Sequence, residues 1–428
     1  MADPVMAKIV GGIGASHSPT IGYAVETGKQ GENPWAPIFA AGFDHIRAWV
    51  RDQRVDVLFV IYNDHITSFF LDHYSAFVLG VDESYVAADE GGGAPHVAPL
   101  TGHAELAGHI GAALVADEFD MSFFQGRPAD HGLFSALSTL ADGDGPWAGR
   151  IVPLQVGVLQ LPVPSPRRCY TLGKSLRAAI ESFPDPDLKV AVMATGGLSH
   201  QVHGERAGFL NEEWDARFLD LLEADPQQLA NLRIADFVEL GGAEGAEVIM
   251  WLIMRGALSE DIRRVHRSTY APSMTNIATA IWEDLGTPPP EAELAAYREH
   301  VGYQLAGADT LEGTYPYTLE RSRKGFRVND FLHRLIEPDH RRRFVEDFDA
   351  LATQYRLASE ERQLIADRDW IGLIRYGAIF FVLEKMAAVL GISNPEVYAH
   401  FRGETLDEFQ ASRQAAIQYG VGAREEQE

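Results

Sequence analysis

From Lys8 to Thr195 the chain alternates short, solid apolar runs with longer stretches of helical spacing. The runs are Lys8–Ile13, Val55–Tyr62, Ala76–Gly80, Met121–Phe124, Ile151–Val158 and Lys189–Thr195. A strand with one wet face alternates apolar with polar residues, whereas a strand covered on both faces is apolar throughout. Between the runs, Trp35–Arg51, Glu105–Ala116, Thr171–Ser182 and Glu212–Leu222 carry the spacing of amphipathic helices. This alternation predicts an α/β fold: a mixed, largely parallel sheet with covering helices. The order of the strands does not follow from the pattern.

Past Tyr270 the character changes. The stretch GTPPPEAEL at Gly286–Leu294 reads as a proline-rich junction, and beyond about Thr314 nearly everything reads as helix. Apolar positions recur through Leu332, Leu335, Phe344, Phe348 and Leu351, and Ser393 with Glu396 has capping-box spacing for a last helix. With 428 residues, the chain is long enough for two or three domains. We expect an α/β domain over 1–285, a linker over 286–313 and a smaller all-helical C-terminal domain over 314–428.

Charge excludes some partners. Lys and Arg total 36 against 61 Asp and Glu, a formal net charge of −25 that repels phosphate backbones and anionic lipid. Neither nucleic acid nor a membrane is expected as a partner. An anionic small substrate would need local cations, amide donors or a metal to hold it. The single cysteine, Cys169, excludes an internal disulfide framework and a cysteine-based zinc site. Residues Val248–Met254 and Tyr376–Ile392 are the most apolar runs, too short to span a bilayer, and read as buried helices. With no basic and apolar leader at the start, a cytoplasmic location is expected.

The histidines carry the chemistry. The stretch IVGGIGASHSP comes within one residue of a G-x-G-x-x-G dinucleotide turn, with His17 where the third glycine would stand. The glycines read as a sharp turn that presents an imidazole to a metal or a proton. Two further apolar runs are also followed by a histidine: His65 after VLFVIYND and His200 after VAVMATGGLS. Carboxyl ends of parallel strands line one crevice, so the three can converge. His45, His109, His266, His300, His333, His340 and His400 lie in helical or charged contexts and read as structural. His73 and His203 are weak candidates, and His96 and His103 suit a loop over the site. A non-haem Fe(II) site takes two histidines and one carboxylate on one face of an octahedron. Glu247 opens a run too apolar to carry an unpartnered charge, and it is the favoured carboxylate. Glu244, one helical turn earlier, suits a helix N-terminus without any metal.

In order, ASHSP with His17, NDH with His65, DHG with His131, GGLSHQ with His200 and EGAE with Glu247 resemble the protocatechuate 4,5-dioxygenase type of extradiol ring-cleavage enzyme. TLERSRKGFRVNDFL from Thr318, followed by ADRDWIGLIRYGAIFFVLEKMAA from Ala366, is similar to that family's small helical subunit. Both subunits would then be joined in one chain, as in the branch of the family that acts on gallate. The resemblance implies Fe(II) held by His17, His65 and Glu247, with His200 as acid/base and His131 in contact with substrate or dioxygen. It implies a small catecholic carboxylate and O2 as reactants, no organic cofactor and a homodimer. No lone Arg or Lys stands out as a carboxylate clamp. Ser18, then Ser273, Thr275 and Asn276 in YAPSMTN, are candidate substrate contacts, and Tyr419 is a candidate lid from this chain or a partner. Gallate, protocatechuate and a methylated gallate differ by one ring substituent, and the residues do not choose among them.

Two other classes stay open on the residues alone. Two histidines, a glutamate and water also describe zinc peptidase sites, although no H-E-x-x-H helix is present. A non-catalytic protein could use the same crevice to bind an anion.

Overall fold

The computed structural model describes residues 6–141, 147–414 and 420. Its strands are β1 (Lys8–Ala15), β2 (Val57–Tyr62), β3 (Phe77–Gly80), β4 (Ser84–Tyr85), β5 (Leu100–Gly102), β6 (Ser122–Phe124), β7 (Arg150–Val156), β8 (Lys189–Thr195), β9 (Ile262–Tyr270) and β10 (Ile277–Asp284). They form one sheet in the order β4-β5-β7-β2-β8-β1-β10-β9, with β3 pairing the far end of β7 and β6 pairing β3. The run β5, β7, β2, β8, β1 is parallel. The β10–β9 hairpin adds to β1 antiparallel, which makes the sheet mixed. Every residue of β2 is buried, as the unbroken apolar run requires.

The six expected strands are present, and β4, β5, β9 and β10 are additional; β10 reads IATAIWED, an apolar run buried through Trp282, while β9 is not apolar. β9 is an edge strand that reads IRRVHRSTY and has no fully buried residue. Charged edge strands resist pairing with another chain, so polar sequence is what such a position selects.

The glycines before His17 do not make a turn. Gly11, Gly12 and Gly14 lie inside β1. A Cβ on Gly14 would stand 2.2 Å from the Trp251 ring, and one on Gly12 would stand 2.5 Å from Met254 Sδ. Both contacts come from the helix Ile249–Ala257, all of whose residues are buried. Glycine in this strand marks a close approach of a packed helix, not a bend. The helical stretch Trp35–Arg51 is likewise more broken than its spacing suggests: Ala36–Ile38, a π-helical turn over Phe39–Phe43, then Asp44–Gln53.

The chain divides into two compact units, Met1–Gln304 and Leu305–Glu428. Inside the expected 286–313 linker, Glu291–Gly302 forms a helix that belongs to the first unit. Leu294 is buried, and Tyr297 Oη donates to Asp117 Oδ2 at 2.9 Å. The second unit is helical, with a core that includes Val328, Phe331, Leu332, Leu351, Leu373 and Leu383. Glu396 accepts from Ser393 N at 2.7 Å and from Ser393 Oγ at 2.6 Å, but the helix they start is not the last. Leu406–Ala411 follows, with its own Thr405–Glu408 box. No helix among the described residues is long and apolar enough to cross a membrane.

Candidate metal centre

β2, β8 and β1 are neighbours in the middle of the sheet, and His65, His200 and His17 stand just past their carboxyl ends. Each ring has its Nδ1 on an acceptor, and that decides which nitrogen faces the crevice. Thr195 Oγ1 donates to Ile61 O at 3.1 Å, so it accepts from His17 Nδ1 at 2.9 Å. Asp130 Oδ2 accepts from His65 Nδ1 at 2.8 Å and from its backbone N at 2.7 Å. Leu198 O accepts from His200 Nδ1 at 2.8 Å. In every case Nδ1 keeps the proton and Nε2 keeps the lone pair, the tautomer a metal ligand or a base needs.

Glu247 sits in the 3₁₀ turn Glu244–Val248 that leads into the helix Ile249–Ala257. Its Oε1 lies 3.6 Å from His17 Nε2 and 3.9 Å from His200 Nε2, and accepts from Gly197 N at 2.5 Å. Gly196, with φ 114°, supplies the left-handed residue that turns this amide inward. Burial pushes the Glu247 carboxyl up, but the facing His17, His200 and His65 outweigh it and hold the group at about 2. One ligand atom each from His17, His65 and Glu247 fall within 4.8 Å of one another. Two imidazole nitrogens and a carboxylate oxygen are the donor set that suits a non-haem Fe(II).

His131 opens the helix His131–Ser138, its ring stacked on His65 with centroids 4.0 Å apart and 6.0 Å from His17. Glu90 holds it twice, accepting from His131 Nδ1 at 2.6 Å and from its backbone N at 2.8 Å. Asp130, which N-caps this helix through Gly132 N at 3.0 Å, also lies near the two rings. His65, Asp130 and His131 could be grouped as a second set of ligands. However, Asp130 already takes two N–H donors from His65, and that accounts for its position. Burial raises the Asp130 carboxyl, while the His65 hydrogen bond and charge bring it below its ordinary value.

Thr195, Asp130 and Glu90 had no signal in the sequence beyond being polar residues next to a strand end, a histidine or a glycine run. Thr275 pairs with His200 in an isolated antiparallel bridge, which places it beside the candidate acid/base. Asn276 is not free to meet a ligand through its amide nitrogen, which donates to Asp215 Oδ2 at 2.8 Å. Asp215 also accepts from Ser199 N and Oγ, tying down the residue before His200. Ser18 is half-buried, with its Oγ 3.0 Å from Thr20 Oγ1, and Ser273 is exposed. Tyr419 lies outside the described residues. His103 is not in a loop over the site: it is buried and N-caps the helix Ala104–Ala116. Glu244 accepts from Val202 N and pairs with His203, away from the ligand cluster.

Fold and site together define an α/β protein with a crevice, at the ends of its central parallel strands, where imidazoles and a carboxylate can hold one metal ion. Residues 11–281 match the family described as the catalytic LigB subunit of aromatic ring-opening dioxygenase, and 328–414 match the LigA subunit of the aromatic-ring-opening dioxygenase LigAB. A gallate dioxygenase from Pseudomonas putida is 57% identical over 79% of this chain and 99% of that protein. More distant relatives are 2,3-dihydroxyphenylpropionate/2,3-dihydroxicinnamic acid 1,2-dioxygenases. One from Rhodococcus sp is 24% identical over 57% of this chain and 87% of its own length; one from Pseudomonas putida is 25% identical over 57% and 88%. The chain belongs to the aromatic ring-opening dioxygenases, with regions matching both the catalytic and the small subunit in one polypeptide. That sets aside the hydrolase and the binding-protein readings.

Proposed function

We propose that this chain uses Fe(II) and dioxygen to open the ring of gallate beside its vicinal hydroxyls, giving the open-chain tricarboxylic acid 4-oxalomesaconate. The cluster of His17, His65 and Glu247 ligand atoms within 4.8 Å carries this reading, and the 57% identity to a gallate dioxygenase favours gallate. When bound there, Fe(II) supplies an open coordination face for a diol and O2 and a sink for charge. Glu247, whose carboxyl the facing imidazoles hold below its ordinary value, contributes the anionic ligand. Asp130 and Thr195 keep the two ligand rings in the tautomer that leaves Nε2 available.

His200 holds and moves the proton. Its Nε2 has the lone pair and faces the cluster, so it takes a proton from a substrate hydroxyl and returns it to the opened product. His131, held by Glu90, lines the crevice beside both ligand rings and contacts substrate or dioxygen. Thr275, with Ser18 and Ser273, offers hydroxyls for the substrate; Tyr419, outside the described residues, is the candidate lid from this chain or a partner. The working form is a homodimer in the cytoplasm.

The test is anaerobic loading with Fe(II), followed by oxygen uptake with gallate, protocatechuate and 3-O-methylgallate at equal concentration. Rapid uptake with gallate and little with the other two is the expected result. Equal uptake with protocatechuate would refute the substrate assignment, and no uptake with any diol despite bound iron would refute the reaction. Unchanged KM in Thr275→Ala and Tyr419→Phe would remove those two from the substrate contacts.

A further inference from the structure

Beneath the metal centre, the sheet holds a group of buried polar atoms that the ring-opening reaction does not use. Tyr62 Oη, Asn63 Oδ1 and both amide atoms of Gln155 are buried without a hydrogen-bond partner. All three residues are 0% exposed. Buried polar side chains are nearly always satisfied by protein or by ordered water, so the open positions that fall together need an occupant.

The register explains why they fall together. Tyr62 pairs with Gln155 across the parallel β2–β7 ladder, so their side chains leave the same face. A tyrosine hydroxyl stands farther from the sheet than a glutamine amide, and the two miss each other by reach. Asn63 follows Tyr62 at the strand end, but its Nδ2 lies 3.4 Å from His65 Nε2, so it belongs to the metal centre and not to this pair. Tyr62 belongs to an apolar core cluster that also includes Val78, Tyr85, Phe124 and Leu133.

The chemistry of the open atoms selects the occupant. The amide offers a donor and an acceptor, and the hydroxyl offers both. The nearby carboxylates are committed elsewhere. Asp64 accepts from the backbone of Thr67, Ser68 and Phe69, and Asp130 from His65 and Gly132. A neutral set that both gives and takes hydrogen bonds fits water rather than an ion.

We propose that Tyr62 and Gln155 form a binding site for ordered internal water, which is a structural part of the strand ends near the metal centre. It secures the end of β2 from behind while Asp130 secures His65 from the side. The site does not depend on the identity of the metal or of the substrate.

A crystal structure of the full chain tests the occupant directly. Solvent density within hydrogen-bond distance of Tyr62 Oη and a Gln155 amide atom is expected; an empty space, or a direct Tyr62–Gln155 hydrogen bond, would overturn the proposal. A double-mutant cycle tests the energetics in solution. Tyr62→Phe and Gln155→Leu should each lower the Tm of the first unit by several degrees, because each strands the water and the remaining partner. The double variant should cost clearly less than the sum, since it removes both partners together. Additive losses would overturn the proposal. If Gln155→Leu does not fold, Gln155→Met replaces it in the same cycle.

Discussion

Replacing Asp130 by asparagine tests how much of the metal affinity is supplied by the carboxylate behind His65. Asp130 Oδ2 accepts from His65 N and Nδ1 at 2.7 and 2.8 Å, while Oδ1 accepts from Gly132 N at 3.0 Å. Every neighbour of this carboxylate is therefore a donor, and an asparagine has only one oxygen to offer. If that oxygen keeps the Gly132 cap, the new NH2 faces His65 Nδ1. The ring must then move its proton to Nε2 and loses the lone pair that would ligate a metal. If the oxygen turns to His65, the cap faces a donor instead, but the ring stays in its ligand form without the charge-assisted bond. Asparagine caps helices about as well as aspartate, but the new NH2 then also faces the His65 backbone N–H, so either arrangement leaves one buried amide without its acceptor and costs the apo protein about 1–3 kcal/mol. Loss of a carboxylate behind a metal-ligating histidine typically weakens metal binding about 10–100-fold. That is about 1.4–2.8 kcal/mol, in line with the roughly 1.5–3 kcal/mol of a hydrogen bond to a charged group. The assay is anaerobic titration of the apo protein with Fe(II) against a chelator of known affinity, alongside thermal melts without metal. The expected result is an apo Tm lowered by several degrees and, in the fraction that is folded, metal affinity lower by one to two decades. Wild-type affinity in Asp130→Asn would refute the argument, because it would show that the His65 tautomer is set by something else.

Substituting His200 by phenylalanine should leave metal content unchanged and lower turnover by about 10²–10⁴-fold; near-normal oxygen uptake would exclude it as the acid/base. Gly14→Ala should destabilise the first unit by about 1–3 kcal/mol, since its Cβ would stand 2.2 Å from the Trp251 ring, and a melt matching wild type would show that the helix shifts freely. Glu181 gives the pH dependence. Burial pushes its carboxyl up to about 7; the Arg177 guanidinium at 2.7 Å opposes this and Asp284 adds to it. A carboxyl raised on folding contributes stability fully only below its unfolded value near 4.5, and loses it as pH rises toward 7. Glu181→Gln should therefore be more stable than wild type at pH 8 by roughly 1–3 kcal/mol, with the gap closing by pH 5. Denaturant melts at the two pH values check this, and a variant less stable at pH 8 would show that the Arg177 pair outweighs the burial.

How much of this was legible in the sequence depends on whether period or register carried it. β2 and β8 were plain because strands covered on both faces cannot hide among polar residues. His17, His65 and His200 followed from them, since the end of a parallel strand is a fixed place in such a fold. β9 was invisible because an exposed edge selects charge, and a period of two disappears when neither face is buried. Thr195, Asp130 and Glu90 were equally hidden. Each acts by accepting one hydrogen from an imidazole, a role any acceptor in reach can fill, and reach is set by contacts such as Glu90 with His131, far apart in sequence. The helix inside the expected linker was hidden for a related reason: prolines at 288–290 end one segment, but they do not prevent the helix Glu291–Gly302 from packing on the unit before it.

The glycines of β1 show how a misread motif can still point to the site. As a turn they would have placed His17 through backbone flexibility. As part of a strand they do something else: they let the helix Ile249–Ala257 lie against the sheet at van der Waals distance from backbone that has no side chains. Glu247 is carried on the turn that starts that helix, so the depth of the helix sets how near its carboxylate comes to His17. With Trp251 seated on Gly14 and its Nε1 donating to Thr195 O at 3.1 Å, the same residue also fixes the strand end whose hydroxyl holds His17 Nδ1. The 3.6 Å between His17 Nε2 and Glu247 Oε1 is thus a consequence of packing on the glycine strand. A larger side chain at position 14 would move a ligand without touching the site, so the GGIG run belongs to the metal centre as much as the histidine that follows it.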